Sequence, residues 1–323
     1  MGSSNTAVAG ATDADSSRAL LRAMPWVFVL IWSTGFIVAR YAMPHAPPLK
    51  FLALRFALTI VCFGVWIGFS RPRWPAGAAQ WMHLAVIGAL IHAGYLGGVW
   101  GAVKLGLGAG TIALLVGLQP VLTALWMTLT AHGSATADSG TAASRVTPHV
   151  TSRQWFGLAL GLVGLALVVW HKLGGGEIHA ANLGLAIFAL VCITVGTLYQ
   201  KRFVGACDVR TASFVQLCAA LVVSLPIALL EVEPVVWHPH LIGALAWSVI
   251  ALTLGGSSLL YMLIQRGAAT EVTSLLYLVP PCTAAMAWLL FGEPLGMATL
   301  AGMALTAIGV ALVVRSARHP RDR

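Results

Sequence analysis

The sequence predicts an all-α integral membrane protein, with ten transmembrane helices built as two inverted five-helix repeats. Three observations carry this expectation. First, the 323 residues are 59% apolar and only 9% charged, with a mean hydropathy of +0.86. Soluble domains carry about 25% charged residues, and a soluble core cannot absorb this much apolar surface. Second, ten apolar segments are each about long enough to cross ~30 Å of hydrocarbon as helix. Third, the chain overlays itself at a shift of 161 residues: Gly35 lands on Gly196, Gly94 on Gly255, Trp100 on Tyr261 and Pro120 on Pro281. Past residue 131 the shift becomes 145, and GLALGLVGLALVV (157–169) lies over GMALTAIGVALVV (302–314). A unit of five spans is odd, so the second copy must sit upside down relative to the first.

The elements follow in order. Residues 1–23 are small and polar and are expected to form a disordered cytoplasmic tail, with no cleavable signal peptide. The first repeat, 24–171, holds spans near 24–43, 48–69, 80–103, 108–131 and 153–171. The second, 181–315, holds spans near 181–203, 210–231, 239–266, 270–292 and 297–315, and a basic tail (316–323) follows. Pro44, Pro47, Pro48, Pro72, Pro75, the glycine triplet 174–176 and Pro234 punctuate the boundaries. The change of shift isolates one 16-residue insertion inside AHGSATADSGTAASRVTPHVTS (131–152). Its Ser, Thr, Ala and Gly content predicts a cytoplasmic loop over 132–152 with no fold of its own.

Charge sets the orientation. With the N-terminus cytoplasmic, 14 Lys and Arg fall in cytoplasmic tails and loops and 4 (Arg40, Lys50, Lys104, Lys172) on the other side. That bias places both termini inside. The net charge of +9 is spread between apolar runs, with no basic cluster carrying interleaved aromatics, so no nucleic-acid partner is expected. The partners are the lipid bilayer and a small-molecule substrate, and the chain is a monomer or a homodimer. Four of the five cysteines lie inside apolar runs and none forms a CxxC pair. With the histidines scattered along the chain, no metal site and no cofactor are expected. No GxxxxGK[ST] loop is present, and the spans lack the clustered acid, base and nucleophile groups of a membrane enzyme, so the chain is not read as an enzyme.

Several stretches together resemble the EamA family of the drug/metabolite transporter superfamily. The first span opens WSTGFIVAR, and FLALRFAL (51–58) follows a Pro-containing turn. AVKLGLGAGTIALLVGLQP (102–120) has its counterpart in LIQRGAATEVTSLLYLVPP (263–281), and the ninth span ends LLFGEPL (289–295). The resemblance implies a central cavity near the midplane, alternating access, residence in the cytoplasmic (inner) membrane, and export of amino acids or related small metabolites. The alternatives are a drug or other metabolite permease of the same fold, or a non-transporting sensor or assembly protein. One departure stands out. Phe291-Gly292-Glu293 closes helix 9, but Thr130-Ala131-His132 occupies the matching place in the first copy.

Arg55 is the only charge well within a span. An intramembrane cation is costly and should face protein or a wet cavity, where it would attract an anionic group such as a carboxylate. His92 and Tyr95 share a face of helix 3 at i, i+3. Trp32, Ser33, Gln119, Thr194, Thr197, Tyr261 and Tyr277 complete the cavity-lining candidates, as amphipathic groups that suit a mixed polar and apolar solute. Pro120, Pro280 and Pro281, near the middle of helices 4 and 9, are candidate hinges. The glycines of helices 5 and 10 point to close helix packing within the monomer, with support of dimerisation as the alternative. Where the copies disagree, an otherwise symmetric scaffold has room for an asymmetric site: Arg55 against Gln216, His92 against Thr253, Gln119 against Pro280.

Overall fold

The computed structural model describes residues 5–123, 126, 152–174, 176–265 and 276–317. Those residues form helices and no strands. Seven helices are long and apolar enough to cross a membrane, and three shorter apolar ones accompany them.

In the first half these are α1 (Asn5–Ala42), α2 (Pro48–Ser70), α3 (Ala78–Lys104), α4 (Ala109–Thr123) and α5 (Ser152–Gly174). In the second half they are α6 (Ala180–Phe203), α7 (Val209–Leu230), α8 (239–265), α9 (Val279–Phe291) and α10 (Met297–Ala317). α1 begins well before the predicted span, inside the segment read as a disordered tail. That segment is rich in alanine (Ala7, Ala9, Ala11, Ala14), the strongest helix former. Apart from Ser152, which opens α5, the 132–152 insertion lies outside the described residues.

Local chemistry sets the helix ends. α2 starts with Pro48 in its first turn, where a missing N–H costs nothing, and stops at Arg71, whose φ of 42° is left-handed. His179 and Asn182 form a reciprocal capping box at the start of α6. Asp208 caps α7 and pairs with Arg210 at 2.7 Å. The Arg210 hydrogen bond holds the Asp208 carboxyl below its usual range.

Two proline expectations change. Pro280 and Pro281 fall in the first turn of the α-helical part of α9, directly after a 3₁₀ turn at Leu276–Leu278, not in mid-helix. In α4 the α-helix ends at Val116, Gly117 and Leu118 form a turn, and Pro120 belongs to the helical turn that follows. Proline suits a helix start because the first N–H groups have no partner inside the helix.

α1, α3, α5, α7 and α9 finish at one end of the bundle, where α2, α4, α6, α8 and α10 begin; we call this the turn end. Carboxylates knit it together. Glu231, just past α7, accepts from the backbone N–H of Leu49 (3.0 Å) and Lys50 (2.8 Å) at the start of α2. Glu293, just past α9, accepts from Ala109 (3.0 Å) and Gly110 (3.4 Å) at the start of α4. Glu177 accepts from Gly108 N–H and the Thr111 hydroxyl and pairs with Lys172 at 2.7 Å. Unpaired N–H groups and the helix dipole make each of these starts a natural carboxylate site.

The core gathers Phe36, Phe51, Phe56 and Trp100, with Phe51 and Trp100 stacked at 4.3 Å. Outside it the helices present Val61, Val65, Phe69, Trp170, Leu229 and Leu230 to the surroundings. Such an apolar exterior needs lipid around it, and the protein is an integral multi-pass membrane protein.

Two helix pairs are antiparallel. α2 lies along α7, with Leu49 near Glu231 at one end and Gly64 against Phe214 at the other. α5 lies along α10, crossing backbone to backbone. A Cβ added at Gly302 would sit 2.5 Å from the Gly164 carbonyl, and one at Gly309 would sit 2.5 Å from that of Gly157. The shift of 145 exchanges these two contacts. The glycine stripes therefore serve packing inside the monomer, as expected.

Candidate functional site

α2, α3, α7 and α8 each bring one polar side chain to a common crossing. Arg55 of α2 donates from Nη2 to Thr253 Oγ1 of α8 at 3.1 Å. His92 of α3 lies 3.3 Å from Gln216 Oε1 of α7. A shift of 161 carries Arg55 to Gln216 and His92 to Thr253, so the two hydrogen bonds are images of each other across the repeat. Tyr95, buried one turn beyond His92, is within electrostatic range of Arg55, as is His92 itself. Phe56 meets the His92 ring edge-on at 6.3 Å.

Backbone geometry builds this crossing. His92 and Tyr95 lie in a π-helical stretch of α3, Gly88–Leu96, and Thr253 lies in another in α8, Ser248–Gly255. The Thr253 hydroxyl donates in turn to Ser248 O, five residues back, at 2.8 Å. π-Helical turns are rare and recur at functional sites. Gly88 lets α3 reach α7: a Cβ there would lie 2.1 Å from the Gln216 carbonyl oxygen. No larger residue permits that approach.

Arg55 is partly buried, and its hydrogen bond to Thr253 is the guanidinium's only one among the described residues. A guanidinium carries five N–H donors. No carboxylate lies within ion-pair distance of it among those residues. The Tyr95 hydroxyl likewise has no hydrogen-bond partner among them. The crossing therefore offers cationic and hydroxyl donors without an acid to neutralise them.

The other predicted residues divide. Gln119 Nε2 donates to Thr197 Oγ1 at 2.9 Å, joining α4 to α6 as a second polar contact. Ser33 is fully buried, donates to Val29 O, and its carbonyl accepts from Thr283 Oγ1 of α9. It belongs to helix packing. Thr194 is buried and donates to Leu190 O within α6. Trp32 is partly exposed and packs on Phe28 at 5.3 Å, beside Gly256 of α8. Tyr261 lies in α8 and Tyr277 in the 3₁₀ turn before α9, and their side chains fall outside the described residues. The structure thus brings Arg55, His92 and Tyr95 together and leaves Ser33 and Thr194 in packing roles.

An apolar groove of about 780 Å³ lies elsewhere, between the first half of α3 and α7, lined by Trp81, Met82, Ala85, Phe214, Cys218 and Val222 among others. It includes none of the predicted site residues.

Two features escaped the sequence reading. Trp247 Nε1 donates to Thr34 Oγ1 at 2.8 Å, tying α8 to α1. At the turn end, His45, His238 and His240 come together with ligand nitrogens within 4.8 Å of one another. Taking the histidines as scattered, with no metal-ligating cluster, missed this group, because 193 residues separate His45 from His238. Desolvation, then the adjacent His238 and His240 rings, push His45 below the ordinary histidine range.

Comparisons with known proteins agree with this architecture. The model of the EamA-like transporter family matches residues 23–138 and 182–315, one match in each half. A protein of Salmonella typhimurium described as a probable amino-acid metabolite efflux pump is 24% identical over 292 residues, covering 87% of this chain and 90% of that protein. An uncharacterized transporter of Archaeoglobus fulgidus is 23% identical, covering 88% and 93%. A solved crystal structure superposes with a TM-score of 0.57 at 18% identity, across 94% of this chain and 99% of the other, which speaks to fold alone. The chain belongs to the EamA-like transporter family, within the drug/metabolite transporter superfamily.

Proposed function

We propose that this membrane transporter is a secondary exporter of small organic metabolites that carry a carboxylate, amino acids and related compounds foremost. It works by alternating access between two inverted halves in the cytoplasmic membrane, with both termini inside. The observation that carries the reading is Arg55: a partly buried guanidinium inside a span, at the crossing of the two halves, with one hydroxyl partner and no acid among the described residues. Such a charge is retained in a membrane protein where it has work to do. Its fork of donors matches a carboxylate in two parallel hydrogen bonds. Gln216, Tyr95 and Thr253 add the uncharged polar groups that an amino or hydroxyl function requires.

The inverted arrangement is supported by the antiparallel α2/α7 and α5/α10 pairs, and by contacts that exchange under the repeat shift. Arg55 lies about 10 Å along α2 from the turn end, and Gln216 about 10 Å along α7 from the opposite end. The crossing therefore straddles the bilayer midplane, where inverted-repeat transporters hold their substrates. The Salmonella relative's description as a probable amino-acid metabolite efflux pump favours the same substrate class.

The test is counterflow into proteoliposomes holding purified protein, with a panel of radiolabelled amino acids and their decarboxylated amines. Exchange confined to carboxylate-bearing members supports the reading. Equal exchange of the amines, or none with any member, contradicts it.

A further inference from the structure

We propose that His45, His238 and His240 form a binding site for one divalent transition-metal ion of the zinc, cobalt or nickel class, stapling the α1–α2 turn to the start of α8. The ligand set is already assembled from two distant segments. His45 stands in the turn after α1, His238 is the N-cap of α8, and His240 lies in its first turn beyond Pro239. The His45 and His238 rings stack at 4.2 Å with 8° between their planes, and the His238 and His240 rings meet at 4.7 Å. Nothing acidic is needed: three neutral imidazoles with a water in the fourth position make a common tetrahedral set.

The nitrogens are available. His238 Nδ1 accepts from the His240 backbone N–H at 3.2 Å, which leaves its Nε2 free to ligate. The rings of His45 and His240 make no side-chain hydrogen bond among the described residues, only ring contacts, including Tyr41 edge-on to His240 at 5.5 Å.

The scaffold is preorganised. Val236 N–H donates to His45 O at 2.8 Å, so the segment leading into α8 is already tied to the turn that carries His45. The ligand atoms lie within 4.8 Å of one another, against about 3.3 Å in a tetrahedral site with Zn–N bonds near 2.0 Å. Closing that gap requires the stacked pair to tilt so that both lone pairs meet at one point. None of the three residues is buried, which leaves their side chains room to rotate.

The experiment reads binding, not transport, and so stands apart from the proposed substrate. The full chain, purified without a polyhistidine tag, is titrated with Co²⁺ by visible absorption and with Zn²⁺ by calorimetry, beside the His45→Ala and His240→Gln variants. Expected are one ion per chain, a tetrahedral Co²⁺ spectrum, and at least ~10-fold weaker binding in each variant, since even outer-sphere partners of a metal site are worth that much. Zn²⁺ should also raise the melting temperature of the parent protein and not of the variants. His240 is exposed and its side chain bonds to nothing described, so His240→Gln carries the test even where His45→Ala folds poorly. No saturable binding by the parent protein, or equal affinity in parent and His240→Gln, overturns the proposal.

Discussion

The turn end and the central crossing handle charge in opposite ways. At the turn end every described carboxylate is engaged: Glu177 with Lys172, Glu231 with the start of α2, Glu233 with Lys104, Glu293 with the start of α4. Glu177, Glu231 and Glu293 complete helix N-termini that would otherwise keep bare N–H groups. At the crossing the sign is reversed and the partner is missing. Arg55 has Thr253 and no acid among the described residues. Charge that holds the fold together is satisfied from within the fold, and under the proposed function the charge of Arg55 is left open for a solute. Loss of a charged or polar side chain should therefore register differently in the two regions, as stability at one and substrate selectivity at the other.

The largest expected effect lies at the crossing and is steric. Gly88→Ala places a Cβ 2.1 Å from a backbone oxygen of α7, which no side-chain adjustment relieves. We expect a loss of about 1–3 kcal/mol or more, read as a lower melting temperature together with abolished transport. Gly184→Ala is the control, because a Cβ there meets nothing within 4 Å, and it should leave both unchanged. A tolerated Gly88→Ala would mean that the α3–α7 contact does not set the site.

At the turn end, Glu293→Ala frees two N–H groups at the start of α4 and should cost about 1–2 kcal/mol. Its mark is a lower melting temperature with an unchanged ratio of transport rates across the substrate panel. A shifted ratio would break the contrast between the two regions. Thr253→Val removes the one hydroxyl that Arg55 holds. Losing a hydrogen bond of about 0.5–1.5 kcal/mol should change apparent substrate affinity less than about tenfold, with the melting temperature nearly constant.

The smallest effect belongs to the end opposite the turns. Asp208 is held below the ordinary aspartate value of 3.8 by Arg210. A carboxylate with a depressed folded pKa contributes stability above its unfolded pKa, and that stability is lost as pH falls through the folded value. The pair is partly exposed, so the contribution stays under about 1 kcal/mol. Melting temperatures of the parent and Asp208→Asn should differ at pH 6 and converge below pH 3.8. A gap that persists in acid would assign the effect to helix capping alone.

Much of this was legible in the sequence, for identifiable reasons. Hydropathy reports contact with lipid, so the spans emerged close to their observed ends, as at Pro48–Ser70 and Ala180–Phe203. The repeat marked Arg55, Gln216, His92 and Thr253 as positions where the copies differ. It did not show that they pair crosswise, because that depends on how the halves are docked. The π-helical stretches left no periodic trace in segments that are apolar on every face. Pro280 and Pro281 looked like a mid-helix kink because hydropathy continues through the 3₁₀ turn before them. The histidine trio and the contacts of Glu231 and Glu293 join residues some 180 to 195 positions apart, and such contacts have no local signature.

The most direct test of the central claim is Arg55→Ala, assayed in proteoliposomes on an amino acid and on its uncharged amide, with the melting temperature followed in parallel. The account predicts that transport of the carboxylate form falls by about 10- to 100-fold, the scale of a charge-assisted hydrogen bond of 1.5–3 kcal/mol. The amide should be little affected and the fold no less stable. Equal loss of both substrates, accompanied by a lower melting temperature, would show Arg55 to be a structural residue and contradict the account.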